Sequence, residues 1–461
     1  MKATRPKILA SHVAILLVAS SISHATAATV VIPSPSSSLT LTQANGTASL
    51  SISNSGDQVW IMSSSTNLTS WSEIGSWKVH NGTYHASFTN SAGTPNTFYR
   101  AFYDPTRQTI FSTATNALLL PATSYNYSAL TLPASFSQPA ILAQDNMPST
   151  NVTTDAGATL GRILFYDKRL STNQTISCAS CHQQANGFSD PRQFSVGYNG
   201  SLGSRNAMGL SNARWYQRKH FFWDERAATL EDQVLLPIQN PVEMGMTIEA
   251  LTNRLAIEPF YTNLFATTFG SLGVTSDRVS KALAQFVRSI VSTRSRYDTG
   301  ESNNFTSFTT QENLGRQIFN GSVGNATCAA CHGTDNFTPG PALNNNGLEF
   351  PYVDQGVGAI TGVSTDNGKF KVPSLRNIGL TAPYMHDGRF TNLAQVVEFY
   401  NSGVVFNPNL SPPLRAPGGN SALRLNLTTD QKAALVAFLN TLTDTNLVAD
   451  VRFSDPFNYG N

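Results

Sequence analysis

Two pentapeptides carry the clearest chemistry in this chain: Cys178-Ala179-Ser180-Cys181-His182 and Cys328-Ala329-Ala330-Cys331-His332. In each, two thiols at this spacing can form thioethers to a porphyrin, and the adjacent imidazole can ligate its iron. The chain holds four cysteines, and the two motifs use all of them. Disulfides or a Cys/His zinc site are the competing readings. Zinc would need ligands drawn together from segments about 150 residues apart, and neither reading explains a His directly after each second Cys. The expectation is two covalently bound c-type haems, on Cys178, Cys181 and His182 and on Cys328, Cys331 and His332.

Haem c is attached outside the cytoplasm, and the N-terminus agrees. Residues 1–28 read as a secretory signal peptide: Lys2, Arg5 and Lys7, a mostly apolar stretch from Ile8 to Ile22, then Ala25-Thr26-Ala27 as a cleavage site. The apolar stretch is short and broken by Ser11, His12, Ser20 and Ser21, which disfavours a permanent anchor. A periplasmic protein with no membrane span in the mature chain follows. Without the three leader cations, 27 of the 30 basic residues remain against 28 acidic ones, and nothing in that balance suggests a nucleic-acid partner.

The elements that must position the two motifs are mainly helical. Residues 29–104 are rich in Ser, Thr, Asn and Gly. Short alternating runs such as Val59/Ile61 and Tyr84/Ala86/Phe88 sit there between turn signals, which favours a small all-β, sandwich-like accessory module. Residues 105–155 contain Pro105, Pro121, Pro133, Pro139 and Pro148 and read as a linker that wraps the next domain. Beyond it Val279, Leu283, Phe286, Val287 and Ile290 share one helical face. Thr309…Glu312 and Thr428…Gln431 are capping boxes that open helices. Leu160-Gly161-Arg162…Phe165 precedes the first Cys motif and Leu314-Gly315-Arg316…Phe319 the second, so two cytochrome-c-like domains are expected, 156–304 for haem 1 and 305–461 for haem 2.

From about Asp155 onward the chain resembles the bacterial di-haem cytochrome c peroxidase superfamily. The resemblance rests on Leu160 to Ser171, Gly187-Phe188-Ser189-Asp190, Arg205-Asn206, Phe222-Trp223-Asp224-Glu225-Arg226-Ala227 and Pro237…Pro241-Val242-Glu243-Met244. Pro373-Ser374-Leu375-Arg376-Asn377 and Thr381-Ala382-Pro383-Tyr384-Met385-His386-Asp387-Gly388 carry it through the second half. Glu225 stands where the family usually has Gly. Tyr198 stands where the peroxidases commonly carry a removable distal His, so the resemblance implies a first haem open to peroxide. Fourteen residues after His386, where the peroxidases place a Met ligand, the chain has Tyr400. A tyrosine there marks the MauG branch, and phenolate ligation lowers an iron's reduction potential where a thioether raises it. Tyr400 also fits as a core tyrosine sharing a helix face with Leu393, Val396 and Val397, and Met385 is a rival ligand.

The resemblance further implies that Trp223 relays charge between the haems, and the flanking motif favours this over an ordinary core aromatic beside Phe221 and Phe222. Glu243 is the candidate acid/base for peroxide cleavage, against a solvated loop carboxylate. Gln233 and Pro237 match positions lining the same pocket. Asn206 and the carbonyls of Thr381 and Pro383 match an inter-haem calcium site, whose ion favours hard oxygen donors. Three functions compete. The first is a MauG-like oxidoreductase that uses hydrogen peroxide to oxidise a partner protein. The second is a cytochrome c peroxidase fed by a small cytochrome or cupredoxin. The third is a non-enzymatic di-haem electron carrier.

Overall fold

The computed structural model describes residues 118–457 except 122, 327, 339 and 341, together with Ser70 and the backbone of six earlier strands. Those strands are β1 (Val13–Leu16), β2 (Ala27–Val31), β3 (Ser37–Ala44), β4 (Thr47–Ser65), β5 (Ser72–Thr89) and β6 (Phe98–Tyr103). They pair antiparallel in the order β1-β6-β4-β3-β2, with β5 also on β4. Their side chains, and with them any sandwich core, lie outside the described residues. So does most of the expected leader, of which β1 is part.

The remainder is mainly helical and built as two similar units. In the first, α1 (Asp155–Tyr166) is capped by the Thr154 side chain, which accepts from the Gly157 amide. Two single turns follow, α2 (Leu230–Gln233) and α3 (Leu236–Gln239), and then the long α4 (Ser276–Ser289). The expected face of α4 is its buried face: Val279, Leu283, Phe286 and Val287 are all enclosed. In the second unit α5 (Thr310–Phe319) leads to the short α6 (Ala329–His332), α7 (Leu393–Glu398) and α8 (Thr429–Asn440). Both expected capping boxes are formed, Thr309 with Glu312 and Thr428 with Gln431.

The Leu-Gly-Arg repeat has a packing cause. A methyl at Gly161 would run into the Ala282 carbonyl of α4 and come within 2.7 Å of Phe286 Cβ. A methyl at Gly315 would meet the Ala434 carbonyl of α8 and come within 2.8 Å of Phe438 Cβ. Each glycine therefore lets two helix backbones cross at close range, and the crossing buries Leu160, Leu164 and Phe286 in one unit and Ile318, Leu435 and Phe438 in the other. Each such side chain contributes about 1.5–3 kcal/mol by leaving water.

Sequence order and spatial order part at the C-terminus. Leu447 and Phe453 are buried in the first unit's core although they follow the second. The carbonyl of Phe453 accepts from Tyr166 Oη at 2.6 Å, and that of Ser454 from Arg162 Nε at 2.6 Å. The proline-rich segment is also tied down: Tyr127 Oη donates to the Arg452 carbonyl at 2.6 Å, and Thr338 Oγ1 to Gln144 Oε1 at 2.8 Å.

Candidate active site

Each unit encloses a largely apolar cavity with its Cys-x-x-Cys-His motif in the wall. The first, of about 250 Å3, is lined by Cys178, Cys181 and His182; the second, of about 240 Å3, by Cys328, Cys331 and His332. All four cysteines are free thiols, which removes the disulfide reading. Among the described residues no group of three or more His, Cys, Asp or Glu side chains could hold a metal ion, so a four-ligand zinc site is not assembled either. Burial pushes the Cys178 and Cys328 thiols up to about 12.

The two imidazoles are held alike. His182 Nδ1 lies 2.9 Å from the Phe188 carbonyl and His332 Nδ1 2.9 Å from that of Phe337. A carbonyl only accepts, so Nδ1 carries the proton and Nε2 keeps its lone pair for a metal. Both phenylalanines sit in the left-handed backbone region, at φ 62° and 54°, an uncommon conformation that turns their carbonyls toward the rings. Desolvation lowers both histidines, His332 to about 4, which keeps the free ligand neutral. Free thiols and a neutral, oriented imidazole in the wall of a sizeable apolar cavity fit a covalently attached haem in each unit.

Gln233, Pro237 and Glu243 come together in the first cavity wall, Gln233 closing α2 and Pro237 within α3. Glu243 Oε1 accepts from Asn240 Nδ2 at 2.9 Å. Desolvation raises this carboxyl above the usual carboxylate range, against the opposing pull of Arg226 and of the Asn240 hydrogen bond. Ser195, Val196 and Gly197 also line the cavity, whereas the Tyr198 ring lies over Gly245.

Trp223 and Asn206 line both cavities. The indole Nε1 donates to the Asn206 carbonyl at 2.8 Å, and the Trp223 carbonyl accepts from the Lys371 amide at 2.8 Å, so the ring is fixed between the units. Thr381 and Pro383 line the second cavity with Asn206, whose Nδ2 donates to the carbonyls of Arg192 at 3.0 Å and Gln193 at 3.3 Å.

Tyr400 lines the second cavity and sits in a π-helical turn, Phe399–Gly403, that continues α7. Such turns displace one residue from the α register and recur at functional sites. Desolvation pushes the Tyr400 phenol up to about 12, with an Asn346 hydrogen bond opposing. Met385 lines the same cavity, and its sulfur accepts from Asn346 Nδ2 at 3.5 Å.

Several lining residues carried no assigned role in the sequence. His386 stacks on Phe370 with ring centroids 3.9 Å apart and meets Trp223 edge-on at 6.5 Å. Lys371 lines both cavities, and burial drives its amine down to about 7. Tyr216 lines the first. The Tyr-Met-His-Asp-Gly run drew attention to His386 as a register mark, but nothing local distinguishes Lys371 or Tyr216.

Residues 155–304 match the family model described as di-haem cytochrome c peroxidase. The methylamine utilization protein MauG of Methylophilus methylotrophus is 30% identical over 295 residues, covering 64% of this chain and 84% of that protein. Cytochrome c551 peroxidase of Nitrosomonas europaea is 34% identical over 328 residues, covering 68% and 89%. The crystal structure of a MauG-like protein associated with microbial copper homeostasis aligns with a TM-score of 0.62 at 33% identity, covering 72% of this chain and 99% of that one.

Proposed function

The chain belongs to the di-haem cytochrome c peroxidase family, and from that premise we propose that it is a periplasmic, MauG-like enzyme that uses hydrogen peroxide to oxidise a partner protein at long range. Its class is a peroxidase-type oxidoreductase with two c-type haems. The membership sets aside the non-enzymatic carrier. Among the described residues no helix is long and apolar enough to cross a membrane. Export by residues 1–28, an all-β accessory module over 29–104 and one calcium ion on Asn206, Thr381 and Pro383 are part of the proposal.

When bound, the haems supply iron centres that take oxidising equivalents from peroxide; the chain's residues decide where these go. His182 and His332 would hold the irons through Nε2, and the four thiols would anchor the porphyrins. With Tyr198 lying over Gly245, the first cavity keeps room for peroxide. Glu243 takes the proton from one peroxide oxygen and returns it to the other, with Gln233 and Pro237 framing the substrate. Trp223, in the wall of both cavities, would pass charge from the first unit to the second, where Tyr400 would offer the iron an anionic oxygen. The observation that carries this reading is that Tyr400, at the position of the family's second-haem ligand, lines the second cavity, while Tyr198, at the family's distal position, is absent from the first wall.

A second reading, a cytochrome c peroxidase fed by a small cytochrome or cupredoxin, is favoured by Met385 in the same wall as Tyr400. The test is the mass and the ferric EPR spectrum of the exported protein. Two covalent haems, one high-spin and one low-spin with oxygen ligation, are expected. Two low-spin haems would close the first site and defeat the proposal, and a thioether-ligated second haem would move the protein to the second reading.

A further inference from the structure

Tyr216 is 2% exposed yet lines the first cavity. Its hydroxyl donates a short hydrogen bond to Glu225 Oε1. The other carboxylate oxygen accepts from Arg218 Nε at 2.7 Å, with His220 Nδ1 at 3.8 Å. Lys371 Nζ stands 3.6 Å from the centre of the Tyr216 ring. Glu225 occupies the left-handed region at φ 56°, which glycine would adopt without strain. A strained glutamate kept at such a position points to a use for its side chain.

We propose that Tyr216 and Glu225 form a proton-coupled redox station on the wall of the first cavity, through which this tyrosine supplies an electron to the peroxide reaction. The inference rests on the reading that peroxide reacts in that cavity. Reduction of hydrogen peroxide to two waters takes two electrons and two protons. Tyr216 gives one of those electrons, the haem of the first unit would give the other when bound, and solvent supplies the two protons; as Tyr216 gives its electron, its O–H bond breaks and the proton moves to Glu225 Oε1, where a new O–H bond forms. The products are a neutral tyrosyl radical and a protonated glutamate. The hydrogen bond already lies along the proton's path. When protonated, Lys371 Nζ at 3.6 Å from the ring centre would oppose positive charge left on it, which favours oxidation with loss of the proton. Arg218 holds the acceptor in place. Trp223 leads toward the second unit, whereas this station keeps an oxidising equivalent in the first, where the exposed edge of the cluster at Arg218 and His220 offers an exit.

The test is freeze-quenched EPR of the holoprotein mixed with stoichiometric peroxide, with wild type also prepared from ring-deuterated tyrosine. A radical whose hyperfine structure collapses on deuteration is expected in wild type. It should be absent from Tyr216→Phe, whose ferric spectrum still matches wild type. In Glu225→Gln, which keeps a hydrogen-bond acceptor but takes no proton, it should form about a hundredfold more slowly. No tyrosyl signal in wild type that has consumed peroxide, or an undiminished one in Tyr216→Phe, overturns the inference. If Tyr216→Phe fails to bind haem, Glu225→Gln decides alone, and an unchanged rate there overturns it. Peroxide consumption is followed in the same samples. A protein that consumes peroxide without a Tyr216 radical refutes this station only, whereas one inert to peroxide refutes the underlying reading as well.

Discussion

Replacing Glu243 by Gln keeps the shape of the first cavity wall while removing its proton acceptor. The Gln amide oxygen can still accept from Asn240 Nδ2, which lies 2.9 Å from Glu243 Oε1, so the side chain should hold its position. What disappears is a carboxylate that burial has made more basic than usual. A positioned acid/base of this kind contributes about 10²–10⁴-fold in rate, or roughly 3–5 kcal/mol of barrier. The assay is stopped-flow mixing with peroxide, following the first-haem absorbance. The ionised form is the one that accepts a proton. The wild-type rate should therefore rise with pH through a midpoint above the ordinary carboxylate range, because Glu243 is raised, and fall as acid protonates it. The Gln variant should be slow and flat across that window, with an unchanged resting spectrum. A rate within threefold or so of wild type, or the same pH profile in the variant, would refute the assignment of proton transfer to Glu243.

Trp223→Phe should leave both haems attached but slow oxidation of the second unit at least about tenfold after peroxide, because removing an electron from benzene costs far more than from indole; equal two-site kinetics would take Trp223 out of the path. Tyr400→Phe should raise the second haem's potential by on the order of 100 mV and abolish oxidation of any protein partner, while the first haem still reacts. An unchanged potential by redox titration would make Tyr400 core packing. Gly315→Ala, which forces α5 away from the Ala434 carbonyl of α8, should cost about 1–3 kcal/mol in a denaturant titration.

What the sequence made legible was local. The capping boxes at Thr309 and Thr428, the buried face of α4 and the two Cys motifs depend on neighbours a few residues away, and each appears where its spacing placed it. Gln233, Pro237 and Glu243 could be put in one pocket only through the resemblance, because their convergence depends on two single helical turns and a loop. Long-range pairings were opaque. Phe453 reads as a tail residue, yet it fills the first core 287 positions after Tyr166. Lys371 reads as a surface cation between Phe370 and Val372, yet it is buried against Tyr216 and Phe221. The left-handed residues whose carbonyls hold the histidine rings are phenylalanines, which no turn rule would select.

The two units differ less in construction than in what each offers a second ligand. Each has a glycine crossing, a phenylalanine carbonyl that fixes the histidine tautomer, and a cavity near 250 Å3. Cavity size therefore cannot assign their roles. The wall chemistry can. Among the polar groups of the first wall are the Glu243 carboxyl, able to move a proton, and the hydrogen-bonded Tyr216 phenol, able to surrender an electron. Among those of the second are Tyr400, within a π turn, and the Met385 thioether, both of a kind that can bind a metal. Proton handling belongs where peroxide is cleaved, and a strong second ligand belongs where charge is stored without substrate entering. Trp223, in the wall of both, is placed to join these tasks only if they are divided in this way.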